Sequence, residues 1–146
     1  MSKLYTMVGL PGSGKSTWAG ARSDCMVVST DAIRKELFGD ESEQKNGALV
    51  FEIAYARLAQ AVALGHDVIF DATNLKRRNR AELFKRFPNV EHIAVYVNTP
   101  FLLCKKRNRN RVRQVPVSVI RRMSYQLEPP ILEEGFSQII EVKEKG

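Results

Sequence analysis

Gly9-Leu10-Pro11-Gly12-Ser13-Gly14-Lys15-Ser16 fits the spacing G-x-x-x-x-G-K-[ST] at every defined position, and Thr17 follows. Glycines at these positions let backbone N–H groups turn inward around an anion. A helix opening at Lys15 adds the positive end of its dipole. Lys15 can reach the β- and γ-phosphates of a bound nucleoside triphosphate, ATP or another, and the Ser16 hydroxyl can ligate Mg²⁺. Gly12, Ser13, Gly14, Lys15, Ser16 and Thr17 are therefore candidate nucleotide-binding residues. The motif points to a triphosphate and says nothing of an acceptor.

Two further clusters could handle an acceptor. In Ser29-Thr30-Asp31-Ala32-Ile33-Arg34 the acid and the arginine are three apart, which on a first helical turn places them on one face. Asp31 can take the proton of an attacking hydroxyl, or it can simply cap the helix. Arg34 can hold an anionic group on the same acceptor. In Asp71-Ala72-Thr73-Asn74, Asp71 stands where a Walker-B-like acid would, holding a Mg²⁺-bound water or bracing the phosphate loop. Thr73 and Asn74 either bind acceptor phosphate or sugar, or form an ordinary Asx-type turn.

Lys105 to Arg113 carries six cations in nine residues, a run that weakens a helix unless an anion neutralises it. In helical register Arg107 and Arg111 share one face, and Arg109 and Arg113 another. We read the run as a lid over a transferring phosphoryl group, with Arg107 and Arg111 the better candidates. The alternative is a solvated basic face. Phe101 to Cys104 read as the packed root of that lid.

These motifs need a scaffold that brings them together. Lys3 to Val8, Met26 to Ser29, Val68 to Phe70, Ile93 to Val97 and Ile139 to Val142 read as strands. Helical spacing covers Lys15 to Ala21, Asp31 to Leu37, Gly47 to Leu64, Lys76 to Phe87, Phe101 to Asn110 and Ser118 to Leu127. In the long third helix, Leu49, Val50, Ile53, Ala54, Leu58, Ala61 and Val62 share a face, and Gly65 is placed to end it. Alternating strands and helices, with strands of continuous apolar residues, predict an α/β fold with a parallel sheet covered on both faces. Ligands of such sheets bind beyond the C-terminal ends of the strands, where all three motifs after strands lie. One domain over 1–146 is expected.

The net charge is +7, but residues 67–127 hold fourteen Lys or Arg against four Asp or Glu, and the remainder is net acidic. That asymmetry suits a polyanionic ligand. Within it, Lys76, Arg77, Arg78 and Arg80 can track a strand backbone, and the lack of an aromatic residue there predicts weak base preference. No apolar run approaches the roughly 20 residues that span a bilayer. Cys25 and Cys104 form no C-x-x-C pair and read as reduced thiols. His66 and His92 stand alone. With no room for a leader ahead of the first strand, a cytoplasmic protein without membrane contact is expected.

Taken in order, these segments resemble the polynucleotide 5′-kinases of the P-loop superfamily. Residues 9–18 are similar to that family's phosphate loop, Asp31 to Arg34 to its base-and-arginine motif, and Asp71 to Asn74 to its third motif. Lys106 to Arg111, running on to Val115-Pro116-Val117-Ser118, is similar to its arginine lid. Pro129-Pro130 to Glu134-Gly135-Phe136 is similar to the end of the kinase domain in the animal members. The resemblance implies a P-loop kinase fold of about five parallel strands with an arginine-rich lid. It makes Asp31 the base for a 5′-hydroxyl and Arg34 the ligand of the phosphate just 3′ of it. Lys15 and Arg111 would contact the γ-phosphate, Arg107 would lie nearer the nucleotide or β-phosphate, and Thr73 and Asn74 would line the acceptor groove. Nothing here resembles the phosphatase or ligase domains appended to many members, so their 3′-end repair is not expected.

Three readings follow: transfer to the 5′-hydroxyl end of DNA or RNA; transfer to a small alcohol such as a sugar, nucleoside or antibiotic; and a nucleotide-driven switch with no acceptor. The first leads, because the basic segment exceeds what one small acceptor needs. The third leaves Asp31 without a task. Oligomeric state is left open.

Overall fold

The computed structural model describes residues 1–39, 46–111 and 114–143. Five strands are β1 (Lys3–Val8), β2 (Met26–Ser29), β3 (Val68–Asp71), β4 (Glu91–Asn98) and β5 (Gln138–Lys143). Six helices are α1 (Lys15–Gly20), α2 (Thr30–Phe38), α3 (Gly47–Ala63), α4 (Arg77–Arg86), α5 (Phe101–Arg109) and α6 (Val117–Gln126), with a 3₁₀ turn at Leu132–Glu134. The strands form one sheet in the order β2-β3-β1-β4-β5, and every pairing is parallel. The sheet, helices and strand order are those of a P-loop kinase.

Side chains alternate between two covered faces, as a strand's period of two requires. Leu4, Val68 and Phe70 join Ile33, Val50, Ala54, Leu58 and Leu83 on one face. Tyr5, Met7, Ile69, Val95 and Val97 pack with Ala19 of α1 on the other. A third cluster, Leu10, Leu75, Cys104 and Ile120, lies past the strand ends and seats α5 and α6 beside the glycine loop.

Two apolar expectations are corrected by position. β2 is an edge strand, so Met26 and Val27 are 49% and 46% exposed rather than buried. On α3, Leu49 rotates off the buried stripe and is 46% exposed, while Val50, Ala54, Leu58 and Ala61 face the core. The end of α3 is as expected: Gly65 has φ +80, its N–H donates to the Val62 carbonyl, and the His66 N–H donates to that of Ala61. This pair of bonds satisfies carbonyls that a helix end otherwise leaves open.

The largest correction concerns Arg80. Instead of joining Lys76, Arg77 and Arg78 on a basic surface, its side chain is fully buried. Nε and Nη2 donate to the two Glu134 carboxylate oxygens at 2.9 Å each, and Nη1 donates to the carbonyls of Asn74 at 2.8 Å and Leu75 at 3.1 Å. Burial of a guanidinium requires this degree of pairing. The segment after α6 is pinned by the same contact. Gly135 then passes so close to the Phe84 ring that a Cβ would sit 2.9 Å from it, and Phe136 packs edge-on against Phe84. His92 is likewise structural: it is buried, with Nε2 2.7 Å from the Phe87 carbonyl. Both cysteines are free thiols. Among the described residues, no helix is long and apolar enough to cross a membrane.

Candidate active site

Strand register brings the motifs to one level. Ser29 pairs with Asp71 across β2 and β3, and Thr6 with Phe70 across β1 and β3, so the three following loops leave the sheet side by side. The Gly9 N–H donates to the Thr73 carbonyl, and Asn74 Nδ2 donates to the Met7 carbonyl at 2.8 Å, joining the β1 and β3 loops. Asn74 itself sits in the left-handed region at φ 45, which its residue type tolerates.

The glycine loop takes its shape from Gly12 at φ +79 and Gly14 at φ +107, where side chains are strained. A Cβ on Gly12 would also lie 2.9 Å from the Cys104 carbonyl oxygen. Thr99 Oγ1 donates to the Ser13 carbonyl at 2.7 Å, and Arg107 Nη1 donates to it at 3.1 Å and to that of Gly12 at 3.4 Å. These donors hold two loop carbonyls outward against α5. On the inner side, α1 begins at Lys15, so its first-turn N–H groups have no carbonyl one turn back. The result is a cavity of about 370 Å³ walled by Pro11, Gly12 and Gly14 to Thr17 on the loop side. Asp31, Asp71, Arg107 and Arg111 close the rest of its wall.

Ser16 Oγ donates to Asp71 Oδ2 at 2.9 Å, setting two hard oxygen atoms side by side. Mg²⁺ is commonly held by one or two carboxylates together with phosphate oxygens and water, so this pair fits it. The described residues contain no group of three His, Cys, Asp or Glu that would form a full protein cage.

Lys15 Nζ donates to the Leu10 carbonyl at 2.8 Å. Burial lowers its pKa from the ordinary 10.5, opposed by the charges of Asp71 and Asp31. A lowered pKa means the unfolded chain binds more protons between the folded value and 10.5, so this group's contribution to stability rises with pH through that window. We therefore expect wild type to gain thermal stability on Lys15→Met as pH approaches 10.5. In the same melts ATP should raise the Tm of wild type and leave that of the variant unchanged.

Ser29, rather than Asp31, caps α2: its side chain accepts the Ala32 N–H at 3.2 Å. Asp31 lies one position inside the helix with its side chain 56% exposed, on the cavity wall. Arg34 Nη1 reaches it at 3.2 Å from a side chain only 12% exposed, and Arg34 Nε is buried without a hydrogen-bond partner among the described residues. Arg34 stands behind Asp31 and does not itself line the cavity.

The basic run is broken by a turn. α5 ends at Arg109, and the Arg111 N–H donates to the Asn108 carbonyl. Arg107 and Arg111 both reach the same cavity. Asn108, to which sequence reasoning gave no role, is buried and brackets this turn. Its Nδ2 donates to the Val115 carbonyl at 2.6 Å, and its Oδ1 accepts the Val115 N–H at 2.9 Å. Val112 and Arg113 lie outside the described residues. Of the expected apolar root, Cys104 is buried, but Leu102 is 74% exposed.

The structure thus gathers Gly12, Gly14 to Thr17, Asp31, Asp71, Arg107 and Arg111 around one cavity. Ser13 is fully buried beneath the loop. Thr73 and Asn74 line a second cavity on the far side of the β3 end. Arg80, Glu134, Thr99 and Asn108 support these walls, and no local pattern in the sequence marks them.

Fold and site together define a P-loop kinase. Residues 4–130 match the family described as AAA domain (AAA_33), and the chain belongs to that family. It is 29% identical over 144 residues to the L-seryl-tRNA(Sec) kinase of Methanococcus maripaludis, covering 87% of this chain and 53% of that protein. The chain spans about half the length of the curated relatives it matches. A chain of the Pnkp1/Rnl/Hen1 RNA repair complex superposes with a TM-score of 0.77 at 25% identity, over 86% of this chain and 44% of that one. A sugar kinase from Janibacter sp. HTCC2649 shares the fold, with a TM-score of 0.73 at 18% identity over 98% and 86% of the two chains.

Proposed function

We propose that this chain transfers the γ-phosphoryl group of ATP to the 5′-hydroxyl end of a polynucleotide, and that residues 1–146 act as one P-loop kinase domain. The observation that carries the reading is the exposed Asp31 carboxylate on the wall of the cavity that Lys15 and the glycine loop enclose. Lys15 exchanges its loop carbonyl for β- and γ-phosphate oxygens. Asp31 accepts the hydroxyl proton, and Arg34 behind it draws in the acceptor's neighbouring phosphate. Arg107 and Arg111 form the lid that bears on the negative charge of the transferring group. Ser16 and Asp71 would hold Mg²⁺, which would supply neutralisation of the phosphate charge.

A polynucleotide acceptor is supported by the basic segment of residues 67–127 and by the likeness to a chain of an RNA repair complex. A small-alcohol kinase is the second reading, favoured by the length over which the chain shares its fold with a sugar kinase.

The test supplies γ-labelled ATP with a 5′-hydroxyl oligonucleotide. Label is expected on the oligonucleotide, and none with Lys15→Ala. Acceptor affinity is expected to fall steeply and linearly in log salt, as phosphate contacts require. Label passing only to a free sugar or nucleoside, with little salt dependence, decides for the second reading. Label released only as free phosphate defeats both.

A further inference from the structure

A second cavity, of about 300 Å³, opens beside the phosphate loop at the end of β3. It is assembled from parts distant in the chain: Phe51 of α3, Lys76, Arg78 and Asn79 at the start of α4, and Gln126, the last residue of α6. Thr73 borders it and lies two positions, no more than about 7 Å of extended chain, from Asp71 in the first cavity.

From this convergence we infer that the second cavity is a nucleobase subsite, stacking a base of the acceptor's 5′-terminal dinucleotide on Phe51. The inference rests on the polynucleotide reading above and specifies how that acceptor is held. The composition matches a nucleotide part by part. Phe51 offers a π-face, Gln126 and Asn79 offer amides that donate and accept along a base edge, and Lys76 and Arg78 offer charge for the adjoining phosphate. A free sugar would leave the ring and both cations without a counterpart.

The platform is also preorganised. Phe51 is half-buried, met edge-on by Phe70 at 6.1 Å between centroids and by the tilted ring of Tyr55 at 6.0 Å. The floor at Asn74 and Leu75 is fixed by the buried Arg80. Rigid aromatic surface loses little freedom on binding. The basic run itself holds no aromatic residue, and in this subsite the ring comes from α3.

The experiment compares two 5′-hydroxyl oligonucleotides, one intact and one abasic at its first two positions, in wild type, Phe51→Leu and Arg78→Ala. Leucine keeps most of the packing against Phe70, and Arg78 is exposed, so neither change threatens the fold. Wild type should lose about tenfold or more in kcat/KM on the abasic acceptor, the worth of one base stacked on an aromatic ring. Phe51→Leu should lose a similar factor on the intact acceptor and then discriminate little between the two. Arg78→Ala should weaken both acceptors and keep the discrimination. Equal rates of wild type on both acceptors overturn the subsite and leave the polynucleotide reading standing. So does a Phe51→Leu loss that is the same on both. If wild type labels neither oligonucleotide while still binding ATP, the polynucleotide reading and this inference fall together.

Discussion

Asp31→Ala is expected to lower phosphoryl transfer to the acceptor by about 10²- to 10⁴-fold, the range for removing a general base, while ATP binding is retained. The size follows from where the carboxylate stands. It is on the cavity wall with Lys15, one residue inside α2, and the cap of that helix is Ser29. Removing the Asp31 side chain therefore leaves the cap bond from Ala32 to Ser29 intact. What is lost is one acidic group in the first turn, about 0.3–1 kcal/mol by the usual dipole effect, together with the 3.2 Å bond from the largely buried Arg34. Melting temperature should fall by only a few degrees. Asp31→Asn keeps the shape and can still accept the Arg34 guanidinium bond, but it cannot take a proton. It should be nearly as slow as the alanine variant. Single-turnover transfer measured beside ATP affinity separates the roles. A matching drop in ATP affinity would place Asp31 in nucleotide binding, and transfer at the wild-type rate would remove it from the reaction.

The second large effect concerns stability. Glu134→Gln or Arg80→Met should destabilise the protein, by up to about 3–5 kcal/mol, because each breaks a buried ion pair; Arg77 Nε, 3.9 Å from Glu134, offsets part of the loss in Arg80→Met. The Arg80 side chain is fully buried and that of Glu134 is 8% exposed, so water cannot replace the lost partner. Glu134 also accepts the Ile131 N–H at 3.0 Å, and Arg80 holds the Asn74 and Leu75 carbonyls, so the damage spreads to both flanking loops. Chemical denaturation should show the loss as a shifted midpoint with an unchanged slope. The double variant Arg80→Met with Glu134→Leu should recover part of it, since replacing both members of a buried pair by apolar groups is often close to neutral. Full additivity of the losses in the matching singles, Arg80→Met and Glu134→Leu, would show that the groups do not act as a pair. The same variants should weaken acceptor use, because the loop they disturb borders the second cavity.

Arg78 and Arg80 show how far the sequence could be read. Both belong to one basic run, and nothing local distinguishes them. One is exposed on the wall of the second cavity; the other is buried against a glutamate 54 positions away. Asp31 is the converse case. Its distance from the glycine loop along the chain is short, both motifs follow strands, and a parallel sheet sends such loops to the same edge. Their meeting could be anticipated from alternation alone. Arg107 and Arg111 fall between: helical register set them on one face, and both reach the cavity although α5 ends at Arg109, with Asn108 holding Val115 across the turn.

What the sequence alone determined is whatever short-range sterics and periodicity encode. Those are the phosphate loop with its positive-φ glycines, the parallel α/β order, and the edge of the sheet where acid, lysine and arginines meet. Tertiary structure alone decided the neighbours of each charge and ring. It buried Arg80, set Phe51 beside Arg78, held Arg34 behind Asp31 and turned the loop carbonyls toward Thr99 and Arg107. The reason is physical. A residue's backbone preference is local to its own few neighbours in the chain, whereas the cost of burying its polar atoms depends on partners that only the folded chain brings within hydrogen-bonding distance.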